Sequence, residues 1–115
     1  MMDDERWVEV ARAEDVPPGT VRACWVGAHE VALVNRGGEL CAIAGGCPHR
    51  GGPLGEGRLV GAELACPWHA FRFDPRTGQA TMPAAFPALP VYQVRVVDGA
   101  VQVARPEGGE DAVAG

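Results

Sequence analysis

Apolar residues fall in short runs along this chain, and nearly every run is closed by glycine, proline, asparagine or aspartate. That is the signature of short strands joined by turns. Trp7 to Ala11 alternates weakly and predicts a first strand. Glu14 to Thr20, with its Pro-Pro-Gly, predicts a loop, and Val21 to Val26, β-branched and aromatic, a second strand. Gly27-Ala28 turns the chain, and His29 to Val34 returns as a third strand. Asn35-Arg-Gly-Gly38 predicts a tight turn whose glycines permit positive φ. Glu39 to Ile43 follows as a fourth strand. Arg58 to Val60 and Ala62 to Ala65 read as a short hairpin about Gly61, and Phe71 to Phe73 as another short strand. Asp74-Pro-Arg-Thr-Gly78 has turn composition. Residues 81–90 carry Pro83, Pro87 and Pro90 and predict a proline-punctuated connection. Val91 to Val97 and Ala100 to Ala104 flank Asp98-Gly99, the strongest hairpin signal in the chain. Residues 105–115 are polar, Gly-rich and expected to fray. About ten short strands without repeats predict one all-β domain over 1–104, an antiparallel sandwich or partial barrel.

Composition narrows the class. A chain of 115 residues suits one domain with a modest core. Sixteen glycines and ten prolines agree with many turns and few long helices. No apolar run approaches a membrane span, and the acidic start has no signal-peptide core, so the expected location is cytoplasmic. The net charge of −5 argues against nucleic acid and fits a small carrier steered toward a basic docking face.

Chemistry concentrates between residues 47 and 69. Cys47-Pro48-His49 is followed after sixteen residues by Cys66-Pro67-Trp68-His69. Thiolate and imidazole suit zinc or an iron–sulfur cluster and do not suit magnesium or calcium. Zinc fingers of the common type pair cysteines in one half and histidines in the other. Here each half supplies one of each, which fits a two-metal cluster with both thiolates on one iron and both imidazoles on the other. Glycines 51, 52, 55 and 57 and Pro53 make a helix between the halves improbable, and glycine lets backbone approach a cluster closely. Cys24 and Cys41 lie in apolar strand-like runs, where buried free thiols are expected rather than a disulfide. His29 has no partner motif and is expected at a surface or strand cap. Gly55-x-Gly57-x-x-x-Gly61 opens no helix, so it is not a dinucleotide loop.

The stretches Cys47 to Gly57 and Cys66 to Asp74 resemble the two cluster-binding loops of Rieske-type ferredoxins, and the similarity extends from about Trp7 to Val103. The resemblance implies antiparallel base sheets carrying a cluster-binding subdomain at about 45–74. It implies one [2Fe–2S] cluster per chain, held by Cys47, His49, Cys66 and His69, with Pro53 and Leu54 as its apolar cover. It also implies an electron-transfer role without catalysis. The chain would receive electrons from a flavin-dependent NAD(P)H reductase and deliver them to a terminal oxygenase. A small subunit of a nitrite reductase, docking on the large subunit, is the alternative partner set. A zinc-stabilised interaction module, using the same ligand types, is the reading from another class. With three histidines in all, two of them in the motif, no mononuclear two-His-one-carboxylate iron site can be assembled.

Departures from the family pattern are informative. Rieske chains usually carry glycine where Ala70 stands. The respiratory type has an extra cysteine in each loop, where this chain has Gly52 and Trp68, so that loop-bridging disulfide is absent. The same type has serine and tyrosine hydroxyls where this chain has Phe71 and Phe73, which implies a low reduction potential.

Overall fold

The computed structural model describes residues 6–45, 54–66, 71–82 and 88–104. Expectations for Cys47, His49, Gly51, Gly52, Pro53, Trp68, His69, Ala70 and the segment 105–115 lie outside the described residues. Within them run β1 (Trp7–Arg12), β2 (Val21–Val26), β3 (His29–Arg36), β4 (Glu39–Ala44), β5 (Arg58–Val60), β6 (Glu63–Ala65), β7 (Arg72–Phe73), β8 (Ala80–Met82), β9 (Val91–Tyr92), β10 (Val94–Val97) and β11 (Ala100–Ala104). Two 3-10 turns, Ala13–Asp15 and Leu54–Glu56, complete the set. No helix among the described residues is long and apolar enough to cross a membrane.

The strands form three antiparallel sheets, in the orders β1-β11-β10, β2-β3-β4-β9 and β5-β6-β7-β8, here sheets A, B and C. Sheet B is the middle layer, and β3 shows why. Its run Val31-Ala32-Leu33-Val34 is buried at every position. Val31 and Leu33 pack toward Val101 and Val103 of sheet A, whereas Ala32 and Val34 pack toward Leu64 and Phe73 of sheet C. A strand buried on both faces has no solvent side to alternate with, hence its continuous apolar run.

That two-sided burial separates the spare thiols. Cys24 belongs to the core between sheets A and B, and Cys41 to the core between sheets B and C. They lie on opposite faces of one sheet and are both free. Burial pushes the Cys24 thiol from about 9.0 up to about 11, with Arg22 acting in the opposite direction. Burial raises Cys41 and Tyr92 as well. The folded state therefore keeps protons that the unfolded chain releases first. The Cys24 contribution to stability is whole below pH 9 and declines as pH rises toward 11. Urea midpoints measured at pH 8 and pH 10.5 should show this fall, and Cys24→Ala should make it smaller.

Turn chemistry agrees with the backbone. Gly37 and Gly38 both have positive φ, and Asp98 and Gly99 take φ of 53° and 80° in the β10–β11 hairpin. Asn35 is the buried polar side chain of the described core. Its Nδ2 donates to the Val16 carbonyl at 2.6 Å, and its Oδ1 accepts from the Gly38 N–H at 2.7 Å. This ties the loop before β2 to the turn after β3.

Three features differ from the sequence pattern. The expected single strand over 91–97 is divided at Gln93. Val91–Tyr92 pairs with β4 in sheet B, while Val94–Val97 pairs with β11 in sheet A. Sheet C gains an edge strand, β8, inside what reads as a connection. His29 is half-buried, with its ring 6.5 Å from that of Tyr92, and so packs against β9 rather than standing alone.

Candidate metal centre

The described residues that flank both motif-bearing segments are hydrogen-bonded into the fold. The first departs at the end of β4. Gly45 donates its N–H to the Glu30 carbonyl at 2.9 Å and accepts from the Leu54 N–H at 2.8 Å. These two bonds join Gly45 to Leu54, the residues flanking segment 46–53, and anchor Gly45 to β3. The approach is close at Gly45, where a Cβ would sit 2.8 Å from Glu30 Cγ and 3.0 Å from its carbonyl carbon.

The second segment departs at the end of β6. Cys66 donates its backbone N–H to the Phe71 carbonyl at 2.9 Å, which joins the two residues flanking segment 67–70. The β6–β7 register pairs Leu64 with Phe73 and Ala65 with Arg72, so Cys66 stands opposite Phe71. Leu64, Cys66, Phe71 and Phe73 consequently share one face of sheet C, the face turned to sheet B. Cys66 is only 4% exposed and packs in one cluster with Leu54, Leu64 and Phe73, each 0% exposed.

Of the four expected ligands, the structure therefore describes one. Cys66 is a buried thiol at the end of β6, with apolar neighbours. Cys47, His49 and His69 lie in the segments outside the described residues, and among the described residues no three metal-binding side chains converge. Leu54, expected as a cover, forms part of the packed core between sheets B and C.

The two necks touch. The Leu54–Glu56 turn packs on β2, where a Cβ on Gly55 would lie 2.5 Å from Ala23 Cβ. The next glycine, Gly57, donates its N–H to the Leu54 carbonyl at 3.0 Å, and a Cβ there would lie 2.1 Å from the Ala65 carbonyl oxygen. The contacts the structure shows for these glycines are with the protein itself, Gly55 with Ala23 of β2 and Gly57 with the carbonyl of the residue preceding Cys66. Composition signals that glycines are needed here, but only the fold shows what they approach.

The donor set and this geometry fit an iron–sulfur centre. The expected donors are two thiolates and two imidazoles in two segments of the sequence, and the described one, Cys66, sits at the end of β6, next to the residue that Gly57 lies against. A buried cysteine backed by leucine and phenylalanine gives the low-polarity wall that tunes such centres.

Comparison with known proteins agrees. The ferredoxin component of the naphthalene 1,2-dioxygenase/salicylate 5-hydroxylase systems of Ralstonia sp is 33% identical over 92 residues, 80% of this chain and 88% of that protein. Ferredoxin CarAc of Metapseudomonas resinovorans is 38% identical over 102 residues, 85% of this chain and 92% of that protein. The complex of reduced oxygenase and oxidized ferredoxin in carbazole 1,9a-dioxygenase contains a chain that superposes with a TM-score of 0.79 at 35% identity, covering 86% of this chain and 93% of that one. The model of the Rieske [2Fe-2S] domain matches residues 6–107, and with the buried Cys66 at its loop neck this chain belongs to the Rieske [2Fe-2S] domain family.

Proposed function

We propose that this chain is a cytoplasmic one-electron carrier that takes electrons from a flavin-dependent NAD(P)H reductase and passes them to a terminal oxygenase. Cys47, His49, Cys66 and His69 are its cluster ligands. The observation that carries the reading is the complete Cys-x-His…Cys-x-x-His set, its second cysteine buried and hydrogen-bonded through its N–H to the Phe71 carbonyl. The named relatives are ferredoxin components of dioxygenase systems, and they support the choice of partner.

One [2Fe–2S] cluster per chain supplies reversible one-electron redox chemistry when bound. The residues define the rest. Two neutral imidazoles in place of two thiolates leave the oxidised site formally uncharged, whereas four thiolates would leave it at about −2. An electron is accepted more readily by a neutral site than by an anion, so histidine ligation raises the potential. Leu54, Leu64 and Phe73 keep water from the inner side of Cys66. The chain itself breaks no bond and is the electron-transfer component of an oxidoreductase system.

Two measurements test the reading. The purified protein should be red-brown, contain about two irons and two labile sulfides per chain, and give an EPR signal on reduction. Reductase, this protein and oxygenase together should turn over, with turnover lost when this protein is left out. A colourless protein with stoichiometric zinc would end the proposal.

Within this reading the phenylalanines set the potential low. Phe73 is fully buried on the face of sheet C that carries Cys66, and neither it nor Phe71 has a side-chain hydrogen to donate to sulfur. A donor to sulfur favours the reduced, more negative state. Phe73→Tyr should therefore raise the potential by about 40 mV if the hydroxyl favours reduction by about 1 kcal/mol. Voltammetry with a crystal structure of the variant checks this. A hydroxyl seated on a cysteine sulfur with no rise in potential would refute it.

A further inference from the structure

We propose that Gly57 is a positioning residue for the cluster, because the contact of its bare Cα with the Ala65 carbonyl sets the spacing between the two ligand loops. The inference rests on Cys66 being a ligand, as proposed above.

Backbone contacts run without a break from one loop neck to the other. Gly45 accepts from the Leu54 N–H at 2.8 Å, and Leu54 accepts from the Gly57 N–H at 3.0 Å. Gly57 then lies against the Ala65 carbonyl, and Ala65 is followed by Cys66, whose N–H is held by Phe71 at 2.9 Å. Among these contacts the one at Gly57 is the tightest. At Gly57 nothing can adjust, since the atom a Cβ would meet is a backbone oxygen at 2.1 Å.

The requirement for glycine here is steric and not conformational. Gly57 is absent from the positive-φ glycines, so its backbone angles suit alanine. Gly61, in the turn of the same β5–β6 hairpin, is the converse. It has φ of +64° with nothing within 4 Å of a Cβ. Alanine at 61 strains the turn locally and pushes nothing. Alanine at 57 must displace the Ala65 carbonyl by about 1 Å to reach normal contact, and that displacement passes to Cys66. The two variants therefore separate loss of stability from loss of ligand spacing.

The experiment compares wild type, Gly57→Ala and Gly61→Ala as purified holoproteins. Wild type with two irons and a reduced-state EPR signal establishes the underlying reading, and wild type without them removes both that reading and this one. Given a loaded wild type, Gly57→Ala should lose its cluster to a chelator at least about tenfold faster and show shifted g values, an effect of the size that residues supporting metal ligands usually have. Gly61→Ala should melt lower yet keep wild-type g values and chelator resistance. Wild-type behaviour of Gly57→Ala, or equal cluster loss in both variants, overturns the proposal. If Gly57→Ala purifies colourless, circular dichroism decides. Retained sheet signal supports displacement of the ligand, and loss of that signal shows a folding defect and overturns it.

Discussion

Serine in place of Cys66 is expected to yield a colourless protein without iron or labile sulfide. The serine hydroxyl is a far weaker ligand for iron than a thiolate, and the position offers it no other role. Cys66 is 4% exposed among Leu54, Leu64 and Phe73, so an unligated hydroxyl there is a buried polar group costing about 1–3 kcal/mol. The control comes from the same core. Cys41 is 7% exposed in the same cluster of residues, so Cys41→Ser carries a comparable burial penalty. Cys41→Ser should keep its visible absorption, while Cys66→Ser and Cys47→Ser should not. Iron and sulfide analysis with visible spectra reads the result. A bleached Cys41→Ser beside a coloured Cys66→Ser would remove Cys66 from the ligand set.

Leu54→Ala should cost about 2–5 kcal/mol, the usual range for emptying a fully buried leucine site. Leu54 is 0% exposed and joins residues of sheet B, such as Ile43, to Leu64 and Phe73 of sheet C. The backbone bond from its N–H to Gly45 survives the substitution, so the neck of the first loop remains closed while the packing below it is lost. Total stabilities of small domains are about 5–15 kcal/mol, so this is a large fraction of the whole. The urea midpoint should fall steeply, and the visible absorption should disappear in the same transition. A loss below about 1 kcal/mol would mean that the cavity collapses freely and that Leu54 does not brace the loops.

Much of this architecture is legible in the residues, and the exceptions have physical causes. The Asp98-Gly99 hairpin and the Gly37-Gly38 turn are local, since residue type and backbone angle coincide there. The continuous run Val31–Val34 marks a strand but does not say that it is covered by two different sheets. Gln93 is where one extended segment leaves sheet B for sheet A, and nothing in a β-rich run of residues signals such a transfer. β8 is three residues long, bounded by Pro83, and exists because β7 offers it an edge. The four candidate ligands are plain in the sequence from residue type and spacing. The glycine contacts behind them are not, because Gly55 and Gly57 are explained by Ala23 and Ala65, which are distant or unremarkable in the sequence.

The pairing of β1 with β11 also bears on how the molecule is made. Trp7 faces Ala104 and Val8 faces Val103, so sheet A joins residues almost a chain length apart. The hairpins β2–β3 and β3–β4, by contrast, close within short distances along the chain. Long-range pairings pay their loop-closure entropy late and slow folding. During synthesis sheet B's first three strands can assemble as they emerge, whereas the strand pairing of β1 waits until β11 is released. The sandwich is completed from its last strand.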